Sequence, residues 1–145
     1  MIASWLHYFI GMAQYVATKS KDPNHKVGCV IVDIDNNILS TGFNGFPRGV
    51  SDDLYRYHDQ PFKLALVVHA EANAIAMAAR KGHSLSGSIA IVTKAPCSHC
   101  AGLLVQAGIV ACYYPIPLPD SSWIESQTMA ELIFNESGVK VFNYE

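Results

Sequence analysis

This sequence is short of charge, of basic clusters and of long apolar runs. Only 15% of its 145 residues are Asp, Glu, Lys or Arg, and 10 basic side chains against 12 acidic ones leave a net charge of −2. No Lys/Arg run stands out, which argues against a polynucleotide partner, whose phosphates require a basic face. No apolar run reaches the length of a membrane span, and Met1-Ile2-Ala3-Ser4-Trp5 carries neither the charged start nor the cleavage site of a secretory signal. Cysteine is limited to four residues, with a single C-x-x-C, a pattern suited to a reducing compartment. The expectation is a cytoplasmic protein. Internal repeats and low-complexity segments are also missing. Half of the residues are hydrophobic, enough for a real core and too many for disorder. A single domain over residues 1–145 is expected, with part of its apolar surface covered by subunit contacts.

Periodicity orders the chain. Ile2, Leu6, Phe9, Ala13 and Val16 recur at helical spacing, and Asp22-Pro23 breaks the pattern. Val27–Val32 is a continuous apolar run, Asp33–Asn37 a turn and Ile38–Phe43 a second strand, together a hairpin. The Gly-rich stretch Gly42–Gly49 is a loop, and residues 51–67 fit no pattern. An Ala-rich helix from about His69 to Arg80 ends at Gly82. Ser88–Thr93 reads as a strand, Pro96–Gln106 as a helix stopped near Gly108, and Ile109–Tyr114 as a strand. Pro115, Pro117 and Pro119 forbid regular structure. Ser122-x-x-Glu125 reads as a capping box for a helix over about 123–136, and Val139–Phe142 closes the chain as a strand. The order α-β-β-α-β-α-β-α-β predicts an α/β fold of three layers, helices on both faces of a mixed five-stranded sheet. Its last three strands are parallel.

Two stretches carry chemistry. His69-Ala70-Glu71 opens the Ala-rich helix, and Pro96-Cys97-Ser98-His99-Cys100 opens a later one. Zinc takes N and S ligands, and a catalytic site keeps one of four positions for water, so His69, Cys97 and Cys100 are a fitting set. Glu71, two residues beyond His69, can reach the reacting atoms without binding metal. Pro96 suits the first position of a helix, which would put Cys97 and Cys100 on one face at i and i+3. A lone C-x-x-C can be redox-active or structural, but a structural site has no use for a non-ligand acid. H-x-E with P-C-x-x-C is the pattern of zinc deaminases. Cys29 and Cys112, in apolar strands, read as core, and His99 as facing away from the metal.

Over almost its whole length the chain resembles the deoxycytidylate deaminases of the cytidine deaminase superfamily, with a texture similar to virus-encoded members, for which the host cytoplasm is the setting. The blocks that carry the resemblance are Ser20–Pro23, Gly42–Gly45, Pro47–Gly49, Val68–Ile75, Pro96–Cys100 and Leu132–Val139. The resemblance implies a cytidine-deaminase-like fold and one Zn2+ on His69, Cys97 and Cys100. It also implies Glu71 as proton shuttle, the Ala70 N–H on the cytosine carbonyl and Asn44 on the sugar 3′-hydroxyl. The substrate implied is dCMP, deaminated to dUMP. Lys21 and Arg48 are the candidates for the phosphate. A homohexamer is implied too, with dCTP and dTTP as effectors, Mg2+ accompanying the triphosphate, at a site near Asn44, Gly45 and Arg48. The chain departs from the pattern at Phe43, often Tyr in the family, at Lys94, usually apolar, and over Pro115–Trp123. The alternatives are a deaminase of dCTP or of free (deoxy)cytidine, and a non-catalytic zinc-binding scaffold.

Overall fold

The computed structural model describes all residues, 1–145. The opening periodicity gives helix α1 (Ala3–Ala17), followed by the hairpin β1 (Gly28–Val32) and β2 (Ile38–Phe43). Two short helices, α2 (Leu54–His58) and α3 (Gln60–Leu66), precede α4 (Ala70–Lys81) and β3 (Ile89–Val92). The rest alternates: α5 (Ser98–Ala107), β4 (Ala111–Pro115), α6 (Ile124–Ser137) and β5 (Lys140–Tyr144). The strands form one sheet in the order β2-β1-β3-β4-β5. β1 is antiparallel to both β2 and β3, while β3, β4 and β5 run parallel, as the alternation of strand and helix requires.

The sheet separates two cores. On one face Ala70, Ala74 and Ala78 of α4, Leu104 of α5 and Phe134 of α6 pack on Cys29, Ile31, Val92 and Cys112. On the other, Phe9 and Ala13 of α1 cover Val30, Val32 and Ile91. Close approach between layers rests on two glycines. A Cβ at Gly42 would collide with the backbone of Ala70 and Ala74, and one at Gly28 with the backbone of Ala13. The absent side chain of Gly42 therefore lets α4 lie against β2 near its first turn, where His69 and Glu71 sit.

Four local expectations are revised. Residues 51–67 hold α2 and α3, whose apolar side chains Leu54, Tyr55, Phe62 and Leu64 face outward, so no helical stripe marks them. Pro115 is the last residue of β4, opposite Tyr144; β3 has no partner for it at that row, so its missing N–H leaves no gap there. Helix α6 starts at Ile124 with Trp123 at its N-cap and no side-chain cap, so the Ser122–Glu125 capping box does not form. Pro96 precedes the cap instead of occupying the first helical position, because Cys97 is itself the N-cap of α5.

Candidate metal and catalytic site

The site is assembled from two helix starts. His69 is the N-cap of α4 and Cys97 the N-cap of α5. The Cys97 Sγ accepts the N–H of Cys100 at 3.5 Å, so one sulfur both caps the helix and faces the site. The Nδ1 of His69 lies 3.5 Å from the Sγ of Cys97 and 3.5 Å from that of Cys100, and all three ligand atoms lie within 4.8 Å of one another. Tetrahedral zinc with bonds of about 2.0–2.1 Å to N and 2.3 Å to S sets these atoms about 3.5 Å apart. The donor set therefore fits zinc in both chemistry and spacing. His99, between the two cysteines, is exposed, and Cys29 and Cys112 are buried in the core, as expected.

The electrostatics suit a cation. The hydrogen bond from Cys100 pulls Cys97 down to about 4 against the opposing effect of burial, with His69 helping. That same bond and burial push Cys100 up. A bound cation would favour deprotonation of both thiols. His69 is raised chiefly by its bond to Cys97. Glu71, only 4% exposed, is raised by burial against the pull of its own N–H and of His69, as befits a group that must carry a proton in one part of a cycle.

His69, Glu71 and Cys97 line a cavity of about 500 Å³, with Cys100 buried behind them; Asp22, His25, Val27, Asn44, Lys63 and Ala70 line it too, as do Lys94, Ser122 and Trp123. Ala70, first residue of α4, has an N–H with no helical acceptor. Asn44 does not occupy left-handed backbone. Its side chain accepts the N–H of Val27 at 2.9 Å and donates to the carbonyl of His25 at 2.7 Å, fixing the strip Ser20–Val27 as one wall. Ser20 adds a bond to the Asn44 carbonyl. The opposite end of that wall is held by an ion pair, Lys63 Nζ to Asp22 Oδ2 at 2.7 Å, with side chains 9% and 1% exposed. The cavity lining does not include Lys21 or Arg48: Lys21 pairs with Asp52 at 2.7 Å and Arg48 is exposed.

Residues that the sequence reading did not place in the site complete it. Trp123 meets the His69 ring edge-on at 5.6 Å and has the Lys94 ammonium over its own ring at 5.6 Å. Ser126 accepts the N–H of Ser98 at 2.9 Å, and Gln127 donates to the Ala95 carbonyl at 3.2 Å. The first turn of α6 therefore braces the loop that carries both cysteines. Lys63 gave no signal, lying in the unpatterned 51–67; Lys94 and Trp123 stand out in sequence only as departures from the family's pattern.

A model of the cytidine and deoxycytidylate deaminase zinc-binding region matches residues 3–116. The chain belongs to this family. It is 40% identical over 143 residues to the uncharacterized deaminase of the luxG 3′ region of Aliivibrio fischeri, covering 97% of this chain and 94% of that one. With human deoxycytidylate deaminase it shares 36% identity over 140 residues, 93% of this chain and 76% of the human one. The dCMP deaminase of cyanophage S-TIM5, solved in complex with dCMP and dUMP, superposes with a TM-score of 0.79 at 27% identity over 99% of each chain. The cytidine-deaminase fold expected from the motifs is the fold observed.

Proposed function

We propose that this family member hydrolyses dCMP to dUMP and ammonia. The observation that carries the reading is Glu71: a buried acid, raised by burial and not itself part of the His69, Cys97 and Cys100 triad, lining the same cavity as His69 and Cys97. When bound to these three residues, zinc supplies an acidified water as the nucleophile. Glu71 accepts a proton as water adds to C4 of the cytosine. It returns protons first to N3 and then to the departing amine, so it acts as base and then as acid. The Ala70 N–H holds the C2 carbonyl. Asn44 keeps one amide N–H beyond its bond to His25, which suits the sugar 3′-hydroxyl. Two relatives bear on the choice of dCMP, the human deoxycytidylate deaminase and the phage enzyme solved with dCMP and dUMP. The test is loss of ultraviolet absorbance with dCMP, deoxycytidine, cytidine and dCTP in parallel; turnover confined to the free nucleosides or to dCTP rejects the reading.

The reading extends to control. A homohexamer activated by dCTP and inhibited by dTTP, with Mg2+ on the triphosphate, follows from the resemblance; one contact bears on the route from effector to site: Gly45, in the loop that also holds Asn44 and Arg48, exchanges backbone hydrogen bonds with Val68 at 3.1 and 2.8 Å. That loop is thereby tied to the residue before His69. Light scattering should give six copies, and dCMP saturation should be sigmoidal alone and hyperbolic with dCTP. An effector acts only through its differential affinity for two states, so a hyperbolic curve that neither nucleotide moves rejects control.

A further inference from the structure

We propose that Lys94 is the residue that binds the phosphate of the nucleoside monophosphate, and so sets the preference for nucleotide over nucleoside. The proposal rests on the deaminase reading above. A phosphate dianion entering this cavity needs a cation in the lining that no ion pair already holds. Two lysines line it. Lys63 is neutralised by Asp22 at 2.7 Å. Lys94 has no carboxylate within ion-pair distance, since the structure's two ion pairs are Lys21–Asp52 and Lys63–Asp22.

Geometry gives Lys94 its reach. It follows β3 directly, on the short loop to Cys97, and its ammonium stands over the Trp123 ring. That ring stands edge-on to His69. The ammonium and the ring of a metal ligand thus share Trp123 as a neighbour, which places the cation in the same cavity as a base that reacts at the metal. Partial burial lowers the affinity of Lys94 for its proton, the mark of an ammonium stripped of water, and an oxyanion restores the lost interactions as charge-assisted hydrogen bonds. Trp123 holds the ammonium on its ring face.

The test uses the zinc-loaded protein with Lys94→Met and Lys94→Arg. KM and kcat are measured on dCMP and deoxycytidine, and the affinities of dUMP and deoxyuridine by calorimetry. Lys94→Met should weaken dCMP and dUMP roughly 10–100-fold, the scale of a lost charged hydrogen bond, with deoxycytidine, deoxyuridine and zinc content unmoved. Lys94→Arg should recover most of the loss. Equal weakening of both ligand classes, loss of zinc, or unchanged dUMP affinity overturns the assignment and leaves dCMP deamination standing. Wild-type protein that turns over deoxycytidine and not dCMP rejects the underlying reading, and the assignment with it.

Discussion

The two walls of the cavity are built by different means. The metal wall comes from the starts of α4 and α5, where helical spacing alone places His69 beside Glu71 and Cys97 beside Cys100. The opposite wall comes from a strip of coil, a seven-residue helix and an α6 start. Those pieces are held by contacts between residues distant in sequence: the Lys63–Asp22 ion pair, the hydrogen bonds of Asn44 with Val27 and His25, and the edge-on aromatic contact of Trp123 with His69. The first wall carries the reaction chemistry, and selection falls to the second wall together with Lys94 on the loop between β3 and α5. Changes to the first should abolish the reaction for every substrate, and changes to the second should redistribute it among substrates or loosen the fold.

The strongest way to test that division is Glu71→Gln. Turnover should fall about 10²–10⁴-fold, the scale of a positioned acid–base group, with one zinc per chain retained by metal analysis. Cys97→Ala should lose metal and turnover together. A Glu71→Gln protein that kept a tenth of wild-type turnover would falsify the shuttle role.

On the opposite wall the largest effect belongs to Lys63→Met, which leaves the Asp22 carboxylate buried without its ammonium. Breaking such a pair typically costs about 3–5 kcal/mol, read by denaturant unfolding. The pH dependence follows. Burial pushes the Asp22 carboxyl up, but the bond from Lys63 and the N–H groups of Asn24 and His25 together outweigh it and hold it below its usual value. A depressed folded pKa means that the stabilisation is complete above the unfolded carboxylate value, about 4, and fades as pH falls through the lower folded value. The stability gap between wild type and Lys63→Met should accordingly narrow on acidification below about pH 4.

Asn44→Ala should come next. Two hydrogen bonds to backbone are lost, for roughly 1–3 kcal/mol, and activity should fall equally on dCMP and deoxycytidine because both carry the sugar. Unequal effects would separate Asn44 from the sugar. Lys21→Ala should do least: its partner Asp52 and Lys21 itself are exposed, so neither the melting temperature nor KM for dCMP should move measurably. A large rise in KM for dCMP alone would return the phosphate to the rim.

The same division explains what the sequence revealed. Strands and long helices bury one side of a periodic pattern, so α1, α4, α5 and the hairpin were legible from spacing, and with them His69, Glu71, Cys97 and Cys100. Helix α3 inverts the pattern, and α2 buries only Tyr57. Leu54, Tyr55, Phe62 and Leu64 are exposed while Lys63 is buried, because tertiary pairing with Asp22 outranks local hydrophobicity there. The Ser122–Glu125 spacing misled because Trp123 caps α6 and packs on His69, so the helix begins one residue later than a capping box demands. Lys21 and Arg48 were read toward the cavity because charge in sequence says nothing of which side of a loop a side chain occupies.

Trp123 also makes the molecule its own optical instrument. The chain has two tryptophans, and the other, Trp5, lies 40% exposed on α1 and stacks on Phe9, in the core across the sheet from the metal ligands. Indole emission responds to a nearby imidazole ring and to a cation on the ring face, and Trp123 has His69 and Lys94 in these places. Replacing Trp5 by Phe would leave a protein whose tryptophan emission, excited selectively over its seven tyrosines, comes from the cavity alone, so that metal loading and ligand entry could be followed in stopped flow without a label.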